Sequence, residues 1–170
     1  MSKTQGDITL VLGGARSGKS RHAESLMAAL PPPWTYVATA QPGDAEMAER
    51  IAAHQARRGP AWQTVEVPHD LAAVLDAAAG PVLVDCLTLW LSNRMLASAD
   101  MEAEFDRLET ALTRRAGATV LVSNEVGSGI VPDNVLARRF RDLQGHLNQR
   151  LAAYAGRVVL MVAGLAVTVK

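Results

Sequence analysis

Short apolar runs alternate along the chain with longer segments in which apolar residues recur at helical spacing. The short runs predict strands and the longer segments predict helices. The predicted strands are residues 8–12, 34–39, 64–67, 82–86, 118–123, 157–162 and 165–169. The predicted helices are residues 19–30, 44–58, 70–79, 87–97, 101–116 and 134–154.

This alternation favours an α/β fold, in which helices cover both faces of a mostly parallel sheet. Only Ala163-Gly164 separates the last two predicted strands. A tight hairpin or one bent strand is expected there, so the pattern predicts an antiparallel edge at the C-terminal end of the sheet. A chain of 170 residues without internal repeats or long linkers predicts a single domain spanning residues 1–170.

Composition narrows the class of protein. Seventeen basic and seventeen acidic residues give a net charge of zero, which disfavours a nucleic-acid binder that depends on phosphate contacts. A hydrophobic content of 49% excludes an intrinsically disordered chain. The longest apolar stretch, residues 158–167, is too short to span a bilayer, and the polar residues 1–7 lack the apolar core of a signal peptide. The single cysteine, Cys86, cannot form an internal disulfide, so we expect a cytoplasmic protein.

One segment matches the phosphate-binding pattern G-x-x-x-x-G-K-[S/T] between a predicted strand and a predicted helix. Its residues are Gly13, Gly14, Ala15, Arg16, Ser17, Gly18, Lys19 and Ser20. Glycines allow the backbone to curl so that its N–H groups point at phosphate oxygens, and the helix N-terminus adds partial positive charge. We expect Lys19 to contact the β- and γ-phosphates of ATP or GTP and Ser20 to ligate Mg²⁺. The alternative, a chance glycine-rich turn, is disfavoured by the strand before it and the helix after it.

Two acidic residues follow predicted strands. Asp85 ends a buried run and is the candidate carboxylate that holds Mg²⁺ through water, although it could instead cap the following helix. We interpret the adjacent Cys86 as a small buried apolar residue rather than a nucleophile. Glu125 could hold a substrate hydroxyl, act as a base or cap its own loop, and the residues alone leave these options open.

The predicted helix 44–58 places Arg50, His54, Arg57 and Arg58 on one face. Three guanidinium groups would keep the imidazole neutral, as a nucleophile must be, and would bind a polyphosphate. A solvated basic helix face with an incidental histidine explains the same pattern. The residues alone favour this second interpretation.

Seven segments together resemble a known family almost from end to end. The sequence is similar to the bifunctional adenosylcobinamide kinase / adenosylcobinamide-phosphate guanylyltransferases of cobalamin biosynthesis. The phosphate-binding motif alone would indicate only a superfamily, whereas the ordered combination is specific. The segments are residues 13–21, 36–40, 49–54, 62–66, 85–88, 123–132 and 136–142 with 148–152.

The resemblance implies two reactions and a RecA-like P-loop fold. Adenosylcobinamide first takes the γ-phosphoryl group of ATP or GTP. GTP then donates GMP to a histidine, from which it passes to adenosylcobinamide phosphate, giving adenosylcobinamide-GDP. The resemblance also implies a homotrimer.

The family's guanylylated histidine falls on His54, which reverses the interpretation from the residues alone. Lys19 keeps its catalytic role, and Ser20 and Asp85 keep their places at the metal. Besides residues 13–20, the family's nucleotide-contacting positions fall on Ala38, Thr39, Ala40, Gln55, Ala56, Arg57, Arg58, Glu66 and Asp85.

The chain departs from the family pattern at two positions. Some relatives have paired histidines where this chain has Ala53-His54, and some have glutamate where it has Asp85. Two other functions remain as alternatives. One is a P-loop small-molecule kinase or GTPase without guanylyl transfer, and the other is a nucleotide-gated binding module.

Overall fold

A computed structural model of the chain describes residues 7–41, 49, 52 and 58–170. Seven strands and five helices lie within these residues. The strands are β1 (Ile8–Gly13), β2 (Trp34–Ala38), β3 (Trp62–Glu66), β4 (Val82–Asp85), β5 (Thr119–Asn124), β6 (Arg157–Val162) and β7 (Leu165–Thr168). The helices are α1 (Lys19–Ala28), α2 (Leu71–Ala77), α3 (Leu87–Leu96), α4 (Met101–Arg114) and α5 (Val135–Tyr154).

The strands form one sheet in the order β3-β2-β4-β5-β1-β6-β7. All neighbouring pairs are parallel except β6 and β7, which are antiparallel. The predicted α/β class and its antiparallel C-terminal edge are therefore confirmed. The first strand of the chain lies inside the sheet, between two strands that come more than a hundred residues later.

Helices pack on both faces of the sheet. One core joins β1, β4 and β5 to the helices α2, α3, α4 and α5, with Trp90 and Phe105 among its largest buried side chains. The opposite core joins the sheet to α1 through Ala23 and Met27. Apolar side chains on both faces explain why the inner strands are almost continuously hydrophobic.

The element boundaries differ from the predictions by at most two residues, with local causes. Helix α1 ends at Ala28 because the Leu30 N–H bonds to the Met27 carbonyl three residues back, which tightens the last turn before three prolines. Helix α4 ends at Arg114 because Arg115 is extended and its buried guanidinium donates to the carbonyls of Leu75 and Gly80.

The predicted helix 44–58 lies outside the described residues, apart from Glu49, Ala52 and Arg58. Among the described residues, none of the helices has both the length and the apolar character needed to cross a membrane.

Candidate active site

Six parallel strands end at the same edge of the sheet. Strands β1, β2, β4 and β5 finish there at Gly13, Ala38, Asp85 and Asn124. Open α/β sheets bind their ligands outside this edge, so the side chains and loops that follow these strands form the candidate site.

The phosphate-binding loop, residues 13–20, joins β1 to α1. Gly13 and Gly18 have positive φ angles of 152° and 97°, and Arg16 has one of 55°. A Cβ at Gly13 would lie 2.6 Å from Ser17 Oγ and 2.7 Å from the Met161 carbonyl oxygen. The loop therefore needs glycine at this position for conformation and for space.

The C-terminal hairpin supports this loop from the side. Its turn, Ala163-Gly164, has positive φ at both residues, and the Gly164 N–H donates to the Ser17 carbonyl at 3.0 Å. Strand β6 contributes Met161, which lies beside Gly13 and Gly18. The sequence predicts the hairpin but gives no signal that it contacts residues 13–20.

Lys19 is the first residue of α1 and is buried. Its ammonium group donates to the Gly14 carbonyl at 2.6 Å, which folds the side chain back over the loop. Burial lowers the pKa of Lys19 from its ordinary value, while the nearby Cys86 and Asp85 side chains act in the opposite direction.

The candidate metal ligands lie on adjacent elements. Ser20 follows Lys19 on α1, which packs against β4, and Asp85 ends β4. Asp85 Oδ2 accepts a hydrogen bond from the Tyr36 hydroxyl at 3.0 Å. Among the described residues, neither Asp85 Oδ1 nor the Ser20 hydroxyl has a side-chain hydrogen-bond partner. A hydroxyl and a carboxylate are oxygen donors of the kind that Mg²⁺ prefers, so these residues fit the ion.

Tyr36 links Asp85 to Arg58. It is buried on β2, and the Arg58 guanidinium carbon lies 3.5 Å from the centre of its ring. Burial raises the pKa of the Tyr36 phenol well above its ordinary value, and the Asp85 carboxylate raises it further. The hydroxyl therefore remains protonated and acts as a donor to Asp85.

Thr39 fastens the end of β2 to the residue after Asp85. Its fully buried hydroxyl donates to the Cys86 carbonyl at 2.6 Å and accepts from the Cys86 N–H at 2.9 Å. The Asn93 amide donates to the Thr39 carbonyl at 2.9 Å. We call Tyr36, Thr39, Asp85 and Cys86 the β2–β4 cluster.

Cys86 fits the interpretation as a structural residue. It is buried, and that burial is the main cause that raises the pKa of its thiol to about 11. A thiol in this environment remains protonated at neutral pH and is a poor nucleophile.

Some of the remaining predicted nucleotide-binding positions lie at the candidate edge of the sheet, and the others lie outside the described residues. Ala38 and Ala40 flank Thr39 at the candidate edge and are half-buried. Glu66 ends the edge strand β3 beside Ala38 and is exposed. The predicted residues His54, Gln55, Ala56 and Arg57 lie outside the described residues.

The end of β5 is held by a buried polar network. Ser123 donates to Asn148 at 2.6 Å, and Gln144 donates to both of them. Asn148 also donates to the Asn124 carbonyl, while the Thr88 hydroxyl accepts from the Asn124 N–H at 2.8 Å. These bonds fix the backbone next to Gly13, with which Asn124 is paired.

Glu125 caps its own loop, which was one of the options left open by the sequence. Its Oε1 atom accepts hydrogen bonds from the Gly127 N–H and the Ser128 hydroxyl. Arg138 and Arg141 of α5 donate to carbonyl groups of the same loop. These arginines therefore hold the loop that follows β5.

Sequence reasoning did not assign a role to Tyr36 or Gly164. The available signal for Tyr36 was weak: an aromatic residue with a polar tip in a buried strand, with two tryptophans in the neighbouring segments. Its contacts are with residues 22 and 49 positions away, so no local pattern reveals them.

The chain is similar to one known family and to several known proteins. Residues 9–169 match the CobU family, described as cobinamide kinase / cobinamide phosphate guanyltransferase. A bifunctional adenosylcobalamin biosynthesis protein CobP of Pseudomonas aeruginosa is 49% identical over 95% of this chain and 96% of its own length.

Two further relatives cover both chains almost completely. The bifunctional adenosylcobalamin biosynthesis proteins CobU of Salmonella typhimurium and Escherichia coli are 44% and 41% identical, each over 96% of this chain and 99% of the relative. The chain is therefore a transferase that belongs to the cobinamide kinase / cobinamide phosphate guanyltransferase family.

Proposed function

We propose that this chain, as a single P-loop domain over residues 1–170, carries out both reactions of its family. It phosphorylates adenosylcobinamide with ATP or GTP and then transfers GMP from GTP to adenosylcobinamide phosphate, giving adenosylcobinamide-GDP. The observation that supports this most is the phosphate-binding loop with Lys19 folded over it, at the carboxyl edge of the sheet, in a chain matching that family over residues 9–169.

In the kinase reaction, the N–H groups of residues 13–20 and the Lys19 ammonium hold the β- and γ-phosphates. The terminal hydroxyl of the aminopropanol arm attacks the γ-phosphorus, and its proton passes to water. A new O–P bond forms, the bond from the γ-phosphorus to the β–γ bridging oxygen breaks, and a nucleoside diphosphate leaves.

Ser20 and Asp85 would hold Mg²⁺ in this arrangement. The ion, when bound, neutralises charge on the phosphate oxygens. Tyr36 occupies one Asp85 oxygen, so the other remains for the metal or for a water molecule bound to it.

In the transfer reaction, a ring nitrogen of His54 attacks the α-phosphorus of GTP. A P–N bond forms, the bond from the α-phosphorus to the α–β bridging oxygen breaks, and pyrophosphate leaves. A phosphate oxygen of adenosylcobinamide phosphate then attacks the same phosphorus and releases His54. The covalent intermediate thus divides the transfer into two displacements.

The nucleotide would also contact residues beyond the loop. The proposed contacts are Ala38, Thr39, Ala40, Gln55, Ala56, Arg57, Arg58, Glu66 and Asp85. Because the Thr39 hydroxyl already donates to the Cys86 carbonyl and accepts from the Cys86 N–H, Thr39 would act by holding the backbone in place.

Two broader features complete the proposal. We propose a homotrimer, as the resemblance implies, and the exposed Leu165 and Val167 side chains on the edge strand β7 are consistent with association between copies. We also propose a cytoplasmic location, where ATP and GTP are available and the free Cys86 stays reduced.

Covalent labelling with α-phosphate-labelled GTP and Mg²⁺ tests the transfer reaction. Wild type should acquire label that is lost in acid and stable in base, as expected of a phosphoramidate. His54→Ala should acquire none. His146→Ala is the matched control, because His146 is an exposed residue on α5, and it should label like wild type.

The same preparations should then be assayed for transfer of γ-labelled phosphate to adenosylcobinamide. Transfer without covalent label would leave a P-loop kinase and overturn the guanylyl half of the proposal. Binding of GTP with neither reaction would indicate a nucleotide-binding module.

A further inference from the structure

Tyr36 contacts two groups of the proposed site with two parts of one side chain. Its hydroxyl donates to Asp85 Oδ2 at 3.0 Å, and its ring lies 3.5 Å from the guanidinium carbon of Arg58. Nothing in the proposed reactions requires Tyr36 to touch a substrate. Its contacts instead join a candidate metal ligand to a candidate nucleotide-binding arginine.

The hydroxyl contact limits the orientations that the Asp85 carboxylate can adopt. A carboxylate at the end of a strand can rotate about two side-chain bonds. A hydrogen bond to a buried donor favours one orientation, in which Oδ2 faces Tyr36 and Oδ1 is left for another ligand. Loss of the hydroxyl would release this constraint without removing the carboxylate.

The ring contact acts on Arg58 in a different way. A guanidinium group stacked on an aromatic ring uses its flat face, and its N–H donors remain in its plane. The stacked group is therefore held in place while its donors can still bind an anion.

The ring itself is fixed by its neighbours. Tyr36 packs edge-on against Trp62 with the ring centres 6.0 Å apart, and Trp62 packs against Trp34 at 5.1 Å. Tyr36 is only 4% exposed. A side chain buried in this way can hold its two partners in a constant relation to each other.

We propose that Tyr36 is a positioning residue that orients the Asp85 carboxylate through its hydroxyl and seats the Arg58 guanidinium on its ring. The proposal rests on the proposed function, because the roles of Asp85 and Arg58 belong to it. It adds that the Mg²⁺ and nucleotide contacts depend on separate parts of one residue that contacts neither ligand.

Measurements of equilibrium GTP binding distinguish the role of the Tyr36 hydroxyl from that of its ring without requiring turnover. The dissociation constant of GTP is measured in EDTA and across a series of free Mg²⁺ concentrations for Tyr36→Phe and Tyr36→Leu. Tyr36→Phe should raise the Mg²⁺ concentration at half-effect about three- to tenfold and leave GTP affinity in EDTA unchanged. Tyr36→Leu should show the same Mg²⁺ shift and should also weaken GTP binding in EDTA about two- to tenfold.

Tyr154→Phe is the matched control. The Tyr154 hydroxyl also donates to a carboxylate, that of Glu109 at 3.2 Å, but it lies on the outer surface of α5. This variant should bind GTP and respond to Mg²⁺ like wild type. Urea unfolding of each variant checks that the fold is intact, and Tyr36→Phe keeps the test decisive if Tyr36→Leu does not fold.

Asp85→Asn and Lys19→Met distinguish failure of this proposal from failure of the proposed function. If GTP binding survives Lys19→Met, or Asp85→Asn leaves the Mg²⁺ response unchanged, the proposed site is wrong and this proposal falls with it. If both of those variants behave as expected but Tyr36→Phe matches Tyr154→Phe, only the hydroxyl role is overturned. Equal GTP affinity of Tyr36→Leu and Tyr36→Phe in EDTA would overturn the ring role.

Discussion

The phosphate-binding loop and the β2–β4 cluster form neighbouring parts of the candidate site by different means. The loop consists of eight consecutive residues, and its shape depends on backbone angles and on the space beside Gly13. The β2–β4 cluster joins the ends of two strands about fifty residues apart through hydrogen bonds such as that between Tyr36 and Asp85.

This difference determines how each part responds to substitution. The loop should fail when a side chain is added at Gly13, because there is no room for it and the backbone angles there disfavour any other residue. The cluster should fail when a polar atom is removed, because its buried partner then has no hydrogen bond. Substitutions in the two parts test this contrast, in order of decreasing effect on the free energy of unfolding.

Gly13→Ala should cost about 3 kcal/mol of unfolding free energy, from steric overlap and an unfavourable φ angle together. The new Cβ would lie 2.6 Å from Ser17 Oγ and 2.7 Å from the Met161 carbonyl oxygen. Urea unfolding measures the cost. Gly14→Ala is the control, because a Cβ there would meet no atom within 4 Å beyond its chain neighbours, and it should unfold like wild type. Equal stability of the two variants would contradict the crowded loop.

Thr39→Val should cost about 1–3 kcal/mol, because the buried Cys86 N–H loses its partner and the Cys86 carbonyl keeps only the bond from the Trp90 N–H. The valine keeps the shape of the side chain, so packing changes little. Thr113→Val provides the comparison: its hydroxyl bonds to the Glu109 carbonyl on the exposed face of α4. The free energy of unfolding of that variant should stay within about 0.5 kcal/mol of wild type. A similar loss in both variants would contradict a stabilising role of the buried Thr39 hydroxyl.

Substitutions at the two residues of the hairpin turn should change the stability of the protein in opposite directions. Gly164→Ala should destabilise the protein by about 1 kcal/mol, because a side chain would be placed at a φ of 82°. Ala163→Asn should stabilise it by a few tenths of a kcal/mol, because Asn-Gly is the preferred pair in turns with two positive φ angles. The midpoint of thermal unfolding should fall for Gly164→Ala and rise for Ala163→Asn. A change in the same direction for both variants would contradict the assigned turn.

Lys19→Met should remove GTP binding while keeping the free energy of unfolding within about 1 kcal/mol of wild type at pH 7. Burial lowers the pKa of Lys19 in the folded state, so the unfolded state holds the proton more tightly. The resulting destabilisation is present below the lowered pKa and is relieved as pH rises towards the ordinary value of 10.5. Wild type should therefore gain stability relative to the variant over that alkaline range. The opposite trend in urea unfolding would exclude a buried, destabilised ammonium.

Much of the fold could be predicted because its signals are local. The buried runs that became β1, β4 and β5, and the glycines and prolines between elements, predicted strands and helices to within two residues. The strand predicted at residues 64–67 shows the limit. Its observed start at Trp62 is set by pairing with Trp34 on β2, which no short window contains.

The candidate site shows the same division. Residues 13–20 follow a pattern that can be recognised without tertiary contacts. The roles of Tyr36 and Gly164 could not be predicted, because they depend on Asp85, Arg58 and Ser17, which only the folded chain brings close. The loop-capping role of Glu125 became visible only in the hydrogen bonds within its loop.

The position of β1 has a consequence for synthesis of the protein on the ribosome. The nucleotide loop leaves the exit tunnel before its partners, because β1 pairs with β5 and β6, and Ser17 bonds to Gly164. A nascent chain that ends before β6 has the complete sequence motif but lacks the neighbours that shape it. The nucleotide loop can therefore acquire its folded form only after β6 and Gly164 have been synthesised, and chains interrupted earlier should have no ordered site to sequester ATP or GTP.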